Sequence, residues 1–314
     1  MAKILVTGGA GFIGSHAVDK LMEEGHHVKV IDNLSSGRLE NIKRWERHPR
    51  FEFIKGDLKN YADALEAVRG VDAVFHFAAN PEVRVSTTSP RTHFDENVVA
   101  TFNLLEAMRE HGVRELVFAS SSSVYGEPEE IPVGEDAPIR PVSVYGASKA
   151  ACENLIHAYT KLYGIKAVAL RYANVVGPRL RHGVIYDLLV KLKKNREELE
   201  VLGDGTQTRS YIYVTDAVEA TITAWRSVTS SYEAYNVASE DWITVNDVVK
   251  AILGELRLSP KIMHKPVLHG VGWPGDVKRI ALKIDKLKTL GFTPRYSSLE
   301  AVTKTVKDLI KELE

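Results

Sequence analysis

The chain has 314 residues, 44% of them hydrophobic, with 41 basic and 41 acidic side chains and one cysteine, Cys152. That length and apolar fraction suit one large α/β unit or two modest lobes, while zero net charge without a basic block argues against nucleic acid or an acidic membrane as a primary partner. A lone cysteine excludes an intrachain disulfide and a cysteine-based zinc site, the histidines lack metal-ligand spacing so no metal is expected, and the lack of a leader or a bilayer-length apolar run predicts a soluble cytoplasmic protein.

Residues 3–6 are a short apolar run that reads as a buried parallel strand. Gly8, Gly9, Gly11 and Gly14 follow, in the spacing G-x-x-G-x-x-G, and an amphipathic helix begins with Phe12, Ile13, Val18 and Leu21 as its expected inward face. Gly8 permits a tight turn, Gly11 lets a pyrophosphate approach the backbone, and Gly14 lets the helix pack closely on the strand. The free N–H groups and dipole of the first helical turn then hold the anion. Glycines alone also fit a loop without a ligand. Residues 27–31 read as a second strand ending at Asp32, about 20 residues past the glycines, where a carboxylate accepts hydrogen bonds from the adenosine ribose and repels a 2′-phosphate. NAD rather than NADP is therefore expected, although Arg38 lies close by. A third strand at 51–54 leads to Asp57, placed either to bind the adenine amino group or to cap the helix starting near Tyr61.

Helix 62–68 and a fourth strand at 73–77 come next, with Phe77, Ala78 and Ala79 at the carboxyl rim where open parallel sheets bind ligands. Residues 90–111 carry a long helical pattern with Val98, Phe102, Leu105 and Met108 inward, and Asn97 on it faces either the site or solvent. A fifth strand at 115–119 runs into four serines, Ser120 to Ser123, and the Pro- and Glu-rich stretch 127–142 is expected on the surface. This βαβα alternation predicts an α/β fold with a doubly wound parallel sheet. Ser143 can cap the next helix, on which Tyr145 and Lys149 are four apart and share a face. A phenol is a poor base at neutral pH, but a nearby ammonium favours the phenolate. Tyr145 is thus a candidate to take a proton from a substrate hydroxyl, with a rim serine sharing the hydrogen bond. The second half begins with a sixth strand at 166–171 and Asn174 at its rim, followed by an amphipathic helix at 184–194. Residues 203–207 carry a hairpin signal, Arg209 and Tyr211 sit on the strand beyond it, and Asp216 is a first-turn acid. Arg209 suits either a forked phosphate contact or a surface ion pair. Helical segments near 244–257 and 299–313 read as structural.

The stretches TGGAGFIG, DNLSSG, GDL, SSSSVYG, YGASK, LRYANVVGP and GDGTQTRSYIYVTD stand in an order and spacing that resembles the extended short-chain dehydrogenase/reductase family, within it the nucleotide-sugar epimerases. The resemblance spans nearly the whole chain. It implies an NAD-binding Rossmann domain over residues 1–175, to which later segments return, and a smaller mixed α/β substrate lobe over 176–314. It also implies a retained NAD and 4-epimerisation of UDP-galactose and UDP-glucose through a transient 4-keto sugar. Ser121, Tyr145 and Lys149 take the catalytic roles. Gly8, Gly11, Phe12, Ile13, Gly14, Asp32, Asn33, Ser35, Ser36, Gly37, Asp57, Leu58, Phe77, Ala78 and Ala79, with Tyr145 and Lys149, take the cofactor-binding ones. Ser121, Tyr145, Asn174, Arg209, Tyr211 and Asp276 fall on the substrate side, and a homodimer is implied through a bundle of helices 90–111 and 148–163.

Two positions depart from the family pattern. Trp273 stands where a second diphosphate-binding arginine is usual, with Lys278 or Arg279 as candidate replacements. Pro81 stands where some relatives place a cofactor-binding lysine, with Arg84 three residues on. Sugar-nucleotide dehydratases carry an Asp-Glu pair after the catalytic threonine. Here Ser122 and Ser123 hold those places and supply no acid for removing water. An epimerase of UDP-N-acetylated or UDP-uronic sugars, with Ile280 bordering the pocket, and a non-catalytic dinucleotide sensor are the alternatives.

Overall fold

The computed structural model describes residues 1–228 and 230–313. Its first half alternates strand and helix: β1 (Lys3–Thr7), α1 (Phe12–Glu23), β2 (His27–Asp32), β3 (Phe51–Lys55), α2 (Tyr61–Val68) and β4 (Ala73–His76). Two short helices, α3 (Val85–Thr88) and α4 (Pro90–His93), lead through a π-helical turn (Phe94–Val99) into α5 (Ala100–His111). Then come β5 (Glu115–Ser121), α6 (Val144–Tyr163) and β6 (Lys166–Tyr172). The second half contains β7 (Asn174–Val176), α7 (Gly183–Lys194), β8 (Glu198–Leu202), β9 (Thr208–Arg209), β10 (Tyr211–Tyr213), α8 (Val214–Arg226) and β11 (Tyr232–Val237). It continues with β12 (Ile243–Thr244), α9 (Val245–Leu256), β13 (Lys261–Lys265), α10 (Asp285–Lys288) and α11 (Ser298–Leu313).

Seven strands form one parallel sheet in the order β11-β6-β5-β4-β1-β2-β3. Successive strands run outward from β1 in one direction to β3 and from β4 in the other to β6, so a crevice opens at the carboxyl ends between β1 and β4. Apolar side chains fill both faces of the sheet. One layer packs Val18, Leu21, Phe75 and Val218 together; the other packs Leu5, Val74, Leu105, Met108 and Ile156. Burial on both sides explains why these strands read as continuous apolar runs. A third cluster, including Leu188, Leu192, Val201, Val248 and Val306, is the core of the smaller lobe built on α7, α9 and α11. β11, unpredicted from the sequence, pairs with β6 across Tyr232–Val237 and returns the chain to the large sheet.

Several sequence expectations change in detail. The helix expected at 90–111 is helical throughout, but a π-helical segment at Phe94–Val99 interrupts its α-helical course and rotates the face, and Phe102 is 44% exposed rather than inward. Phe12 and Ile13 are half-buried and face the crevice, whereas Gly14, Ala17, Val18 and Leu21 meet the core. The hairpin signal at 203–207 marks a sheet change instead. β8 pairs in parallel with β13 and β9 pairs with β12, because the turn through Gly203 and Gly205 (both φ +81°) swings the chain away from β8. The stretch 127–142 is not wholly superficial: Val133 is buried and bridges to Leu282, and both side chains belong to the apolar layer on the large sheet.

Candidate active site

A crevice of about 970 Å³ follows the carboxyl rim of the sheet and continues between the lobes. Its dinucleotide half is built by the glycine turn. Gly8 has φ +65°, and a Cβ there would lie 2.7 Å from the Ala78 amide nitrogen. A Cβ on Gly14 would lie 2.2 Å from the Gly8 carbonyl oxygen. α1 begins with no side-chain cap and no acid in its first turn, so its leading N–H groups and positive dipole end remain for an anion. This cradle fits a pyrophosphate.

Asp32 lines the crevice at the end of β2, accepting hydrogen bonds from the Ala10 amide at 3.0 Å and the Leu34 amide at 2.8 Å. Burial pushes its carboxyl pKa up, and those two amides oppose the shift. Gly37 is not on the lining; it packs behind, with a Cβ position 2.6 Å from Asp32 Oδ1. Asn33 donates to Asp57 at 3.2 Å. Burial of Asp57 is outweighed by hydrogen bonds from the Lys59 amide and Asn33, which hold its carboxyl below the usual range. Asn60, not Asp57, caps α2, which leaves the Asp57 carboxylate on the crevice wall with Ser35, Ser36 and Leu58.

Phe77, Ala78 and Ala79 line the β4 rim as expected. A buried chain of hydrogen bonds unseen in the sequence fixes that rim. The Ala78 amide donates to Thr7 Oγ1 at 3.1 Å, Thr7 Oγ1 and His76 Nδ1 are 2.7 Å apart, His76 Nε2 and Thr101 Oγ1 are 3.0 Å apart, and Thr101 donates to the Asn97 carbonyl. Since Thr101 spends its proton on Asn97, His76 must donate from Nε2 and accept from Thr7 at Nδ1. Burial drives the imidazole pKa down to about 3.

Ser121, Tyr145 and Lys149 converge on the next stretch of wall. Ser121 ends β5 and caps a single 3₁₀ turn, with its Oγ accepting from the Ser123 amide. Ser143 caps α6 as expected, accepting from the Gly146 amide at 3.1 Å. The Tyr145 amide donates to Ser86 Oγ at 3.1 Å, and its ring meets His93 edge-on at 5.5 Å. Lys149 Nζ donates to the Ala119 carbonyl at 2.8 Å and lies 5.9 Å from the Tyr145 ring. Burial pushes the phenol up to about 12, with the Ser121 hydroxyl pulling the other way, and pushes the ammonium down to about 8. The protein by itself therefore keeps Tyr145 neutral, because desolvation outweighs the hydrogen bond from Ser121.

Asn97 is buried behind the crevice wall rather than on it: its Oδ1 accepts from the amide of Asn80, a lining residue, and its Nδ2 donates to Ser148 Oγ at 2.8 Å. Ser120 donates to Glu153, which is paired with Arg171 at 2.7 Å in the sheet's interior. Glu153 stands four residues after Lys149, a helical spacing that could have revealed it in the sequence.

On the substrate side, β7 and β10 put Asn174 opposite Tyr211. Arg209 and Asp276, assigned separate ligand roles in the sequence, lie side by side: Arg209 Nη2 donates to Asp276 Oδ1 at 2.8 Å, and Asp276 Oδ2 accepts from the Gly272 amide. All four line the crevice, as do Trp273 and Ile280. Lys278 is committed to Asp204 at 2.6 Å and Arg279 is exposed; neither lines the crevice to replace the arginine missing at 273. Arg84 is on the lining, held by Glu82 and Asp187. Asp216 is a buried first-turn acid that accepts from Arg295, as a structural role requires.

The model of the NAD dependent epimerase/dehydratase family matches residues 4–238. A crystal structure of a UDP-galactose 4-epimerase is 51% identical, superposes with a TM-score of 0.90, and covers 99% of this chain and 100% of its own. The NAD complex of the Thermus thermophilus UDP-glucose 4-epimerase is 36% identical, with a TM-score of 0.87 over 98% of this chain and 99% of its own. The UDP-N-acetylglucosamine 4-epimerase of Methanobrevibacter ruminantium is 34% identical, with a TM-score of 0.87 over 99% of both chains.

Proposed function

The chain belongs to the NAD-dependent epimerase/dehydratase family as an NAD-dependent nucleotide-sugar epimerase, and on that premise we propose that it interconverts UDP-galactose and UDP-glucose at sugar C4. The observation that carries this reading is the meeting of Ser121, Tyr145 and Lys149 on one wall, with the Arg209–Asp276 pair on the same crevice beyond them. Ser122 and Ser123 put no carboxylate next to Ser121, which supports epimerisation over dehydration.

Bound NAD supplies reversible acceptance of the C4 hydride, chemistry that no side chain here can provide. The residues to hold it are the glycine turn, Asp32 and Asp57 on the adenosine side and Lys149 at the nicotinamide ribose. Tyr145 takes the proton of the C4 hydroxyl and returns it to the opposite epimer, with Ser121 sharing its hydrogen bond. A phenol held near 12 by burial needs added positive charge to act near neutrality, so proton transfer is tied to a loaded site. Arg209 anchors the diphosphate while the sugar turns, and Asp276 holds its guanidinium in place. The alternative substrates, UDP-N-acetylated sugars, draw support from the 34% identity to the UDP-N-acetylglucosamine 4-epimerase.

The test is NMR of UDP-galactose incubated with the purified protein and no added NAD. An equilibrium mixture with UDP-glucose is expected. Conversion of UDP-N-acetylgalactosamine alone would move the assignment to the N-acetylated sugars.

A further inference from the structure

The loop after β4 reaches across the crevice to α7. Arg84 directs Nε and Nη2 at the two carboxylate oxygens of Glu82, both at 2.8 Å, and Nη2 lies 3.1 Å from Asp187 Oδ2 on α7. His182, at the head of α7, completes the group, and all four residues line the crevice. Two residues beyond Arg84, Ser86 accepts from the Tyr145 amide, so the group stands at the sugar end of the site rather than at the Asp32 end. The Arg84 hydrogen bonds hold the Glu82 carboxyl below the usual range, and burial holds the His182 imidazole below its own. The group thus sets two carboxyl side chains, Glu82 and Asp187, against the single Arg84 guanidinium. The Nε–Nη2 fork of Arg84 is already filled, and the neighbouring Arg181 is paired with Glu312 at 3.0 Å.

We propose that Glu82, Arg84 and Asp187 act as a charge filter that admits a neutral UDP-hexose and rejects one whose C5 carries a carboxylate. The inference rests on the UDP-sugar reading above. A uronate brought to this wall finds no free fork to receive it and an excess of like charge, and specificity against a wrong ligand is often built from such repulsion.

Titration calorimetry of the NAD-loaded protein with UDP-glucose and with UDP-glucuronate tests this without relying on turnover. The wild type is expected to bind UDP-glucose at least about tenfold more tightly, about 1.4 kcal/mol. Glu82→Gln and Asp187→Asn, singly and together, should narrow that gap, and raising the salt concentration should narrow it in the unmodified protein. Equal binding of the two sugars by the wild type, or a gap that neither substitution nor salt moves, overturns the filter. In that case measured epimerisation of UDP-galactose would leave the proposed function standing. If neither sugar binds, both readings fall.

Discussion

Tyr145 and Lys149 illustrate how burial and charge compete at single residues. Four-residue spacing puts them on one face, and two isolated groups so placed would favour phenolate beside ammonium. In the folded chain both are desolvated, and burial favours the neutral form of each, up to about 12 for the phenol and down to about 8 for the amine. Tyr145→Phe is expected to keep the fold and bound NAD but to lose about 10²–10⁴-fold in turnover. Steady-state rates and the cofactor content of the purified variant check this, and a near-normal rate would remove Tyr145 from the mechanism. His76 leads to a second expectation. Its folded pKa is about 3, below the ordinary value, so between pH 6.5 and about 3 the unfolded chain takes up a proton that the native chain refuses. Stability present above pH 6.5 should therefore fall as the pH drops through that window. His16, held at about 4 chiefly by burial, adds to the same trend. Urea unfolding from about pH 7 downward should show the decline. His76→Gln, which cannot titrate, should flatten it even though the variant is less stable near neutrality; an unchanged slope would shift the cause to other groups.

At the scale of elements, the strand, glycine turn and helix at residues 3–23 were legible because each feature has a local cause: an apolar run, a left-handed turn at Gly8, and a close approach that a side chain would block. Gly14→Ala drives a Cβ to within 2.2 Å of a backbone oxygen. It should destabilise the protein by about 1–3 kcal/mol and strip NAD from the purified material. Gly254, exposed within α9 with nothing near its Cβ position, is the contrast; Gly254→Ala should stabilise by about 1 kcal/mol. Thermal unfolding with cofactor analysis distinguishes the pair, and equal effects would mean that the close approach at Gly14 does not matter. The turn at 203–207 was misread because glycine-rich turn chemistry is common to hairpins and to sheet changes. Only the partners of β8 and β9 tell the two apart, and both partners lie far along the chain.

For the molecule as a whole, the helices at 90–111 and 148–163 present an aromatic strip outward. Phe94 is 55% exposed, Phe102 is 44% exposed and meets Tyr159 edge-on, and Tyr163 packs beside Tyr159. Exposed aromatic area of this kind favours a partner surface, and we propose that two copies pair through it as a four-helix bundle. Sedimentation at micromolar concentration should give a dimer, and Phe102→Glu should shift it towards monomer; a monomeric wild type would reject this interface. The two lobes meet around the crevice, so every ligand-facing residue of β9, β10 and α7 depends on packing between segments far apart in sequence.

The sequence alone determined the alternation that makes the parallel sheet, the glycine cradle with Asp32, and the Ser121, Tyr145 and Lys149 set. Each of these is written in local spacing, and local spacing fixes which way a side chain leaves a helix or strand. Only the tertiary structure decided that Arg209 faces Asp276, that Asn97 turns inward to Ser148, that Phe102 turns outward, and that Arg84 is shared by carboxylates from both lobes. Those contacts join segments as many as 103 residues apart. Which charges meet there, and how much water they lose, depends on how the lobes pack rather than on any pattern along the chain.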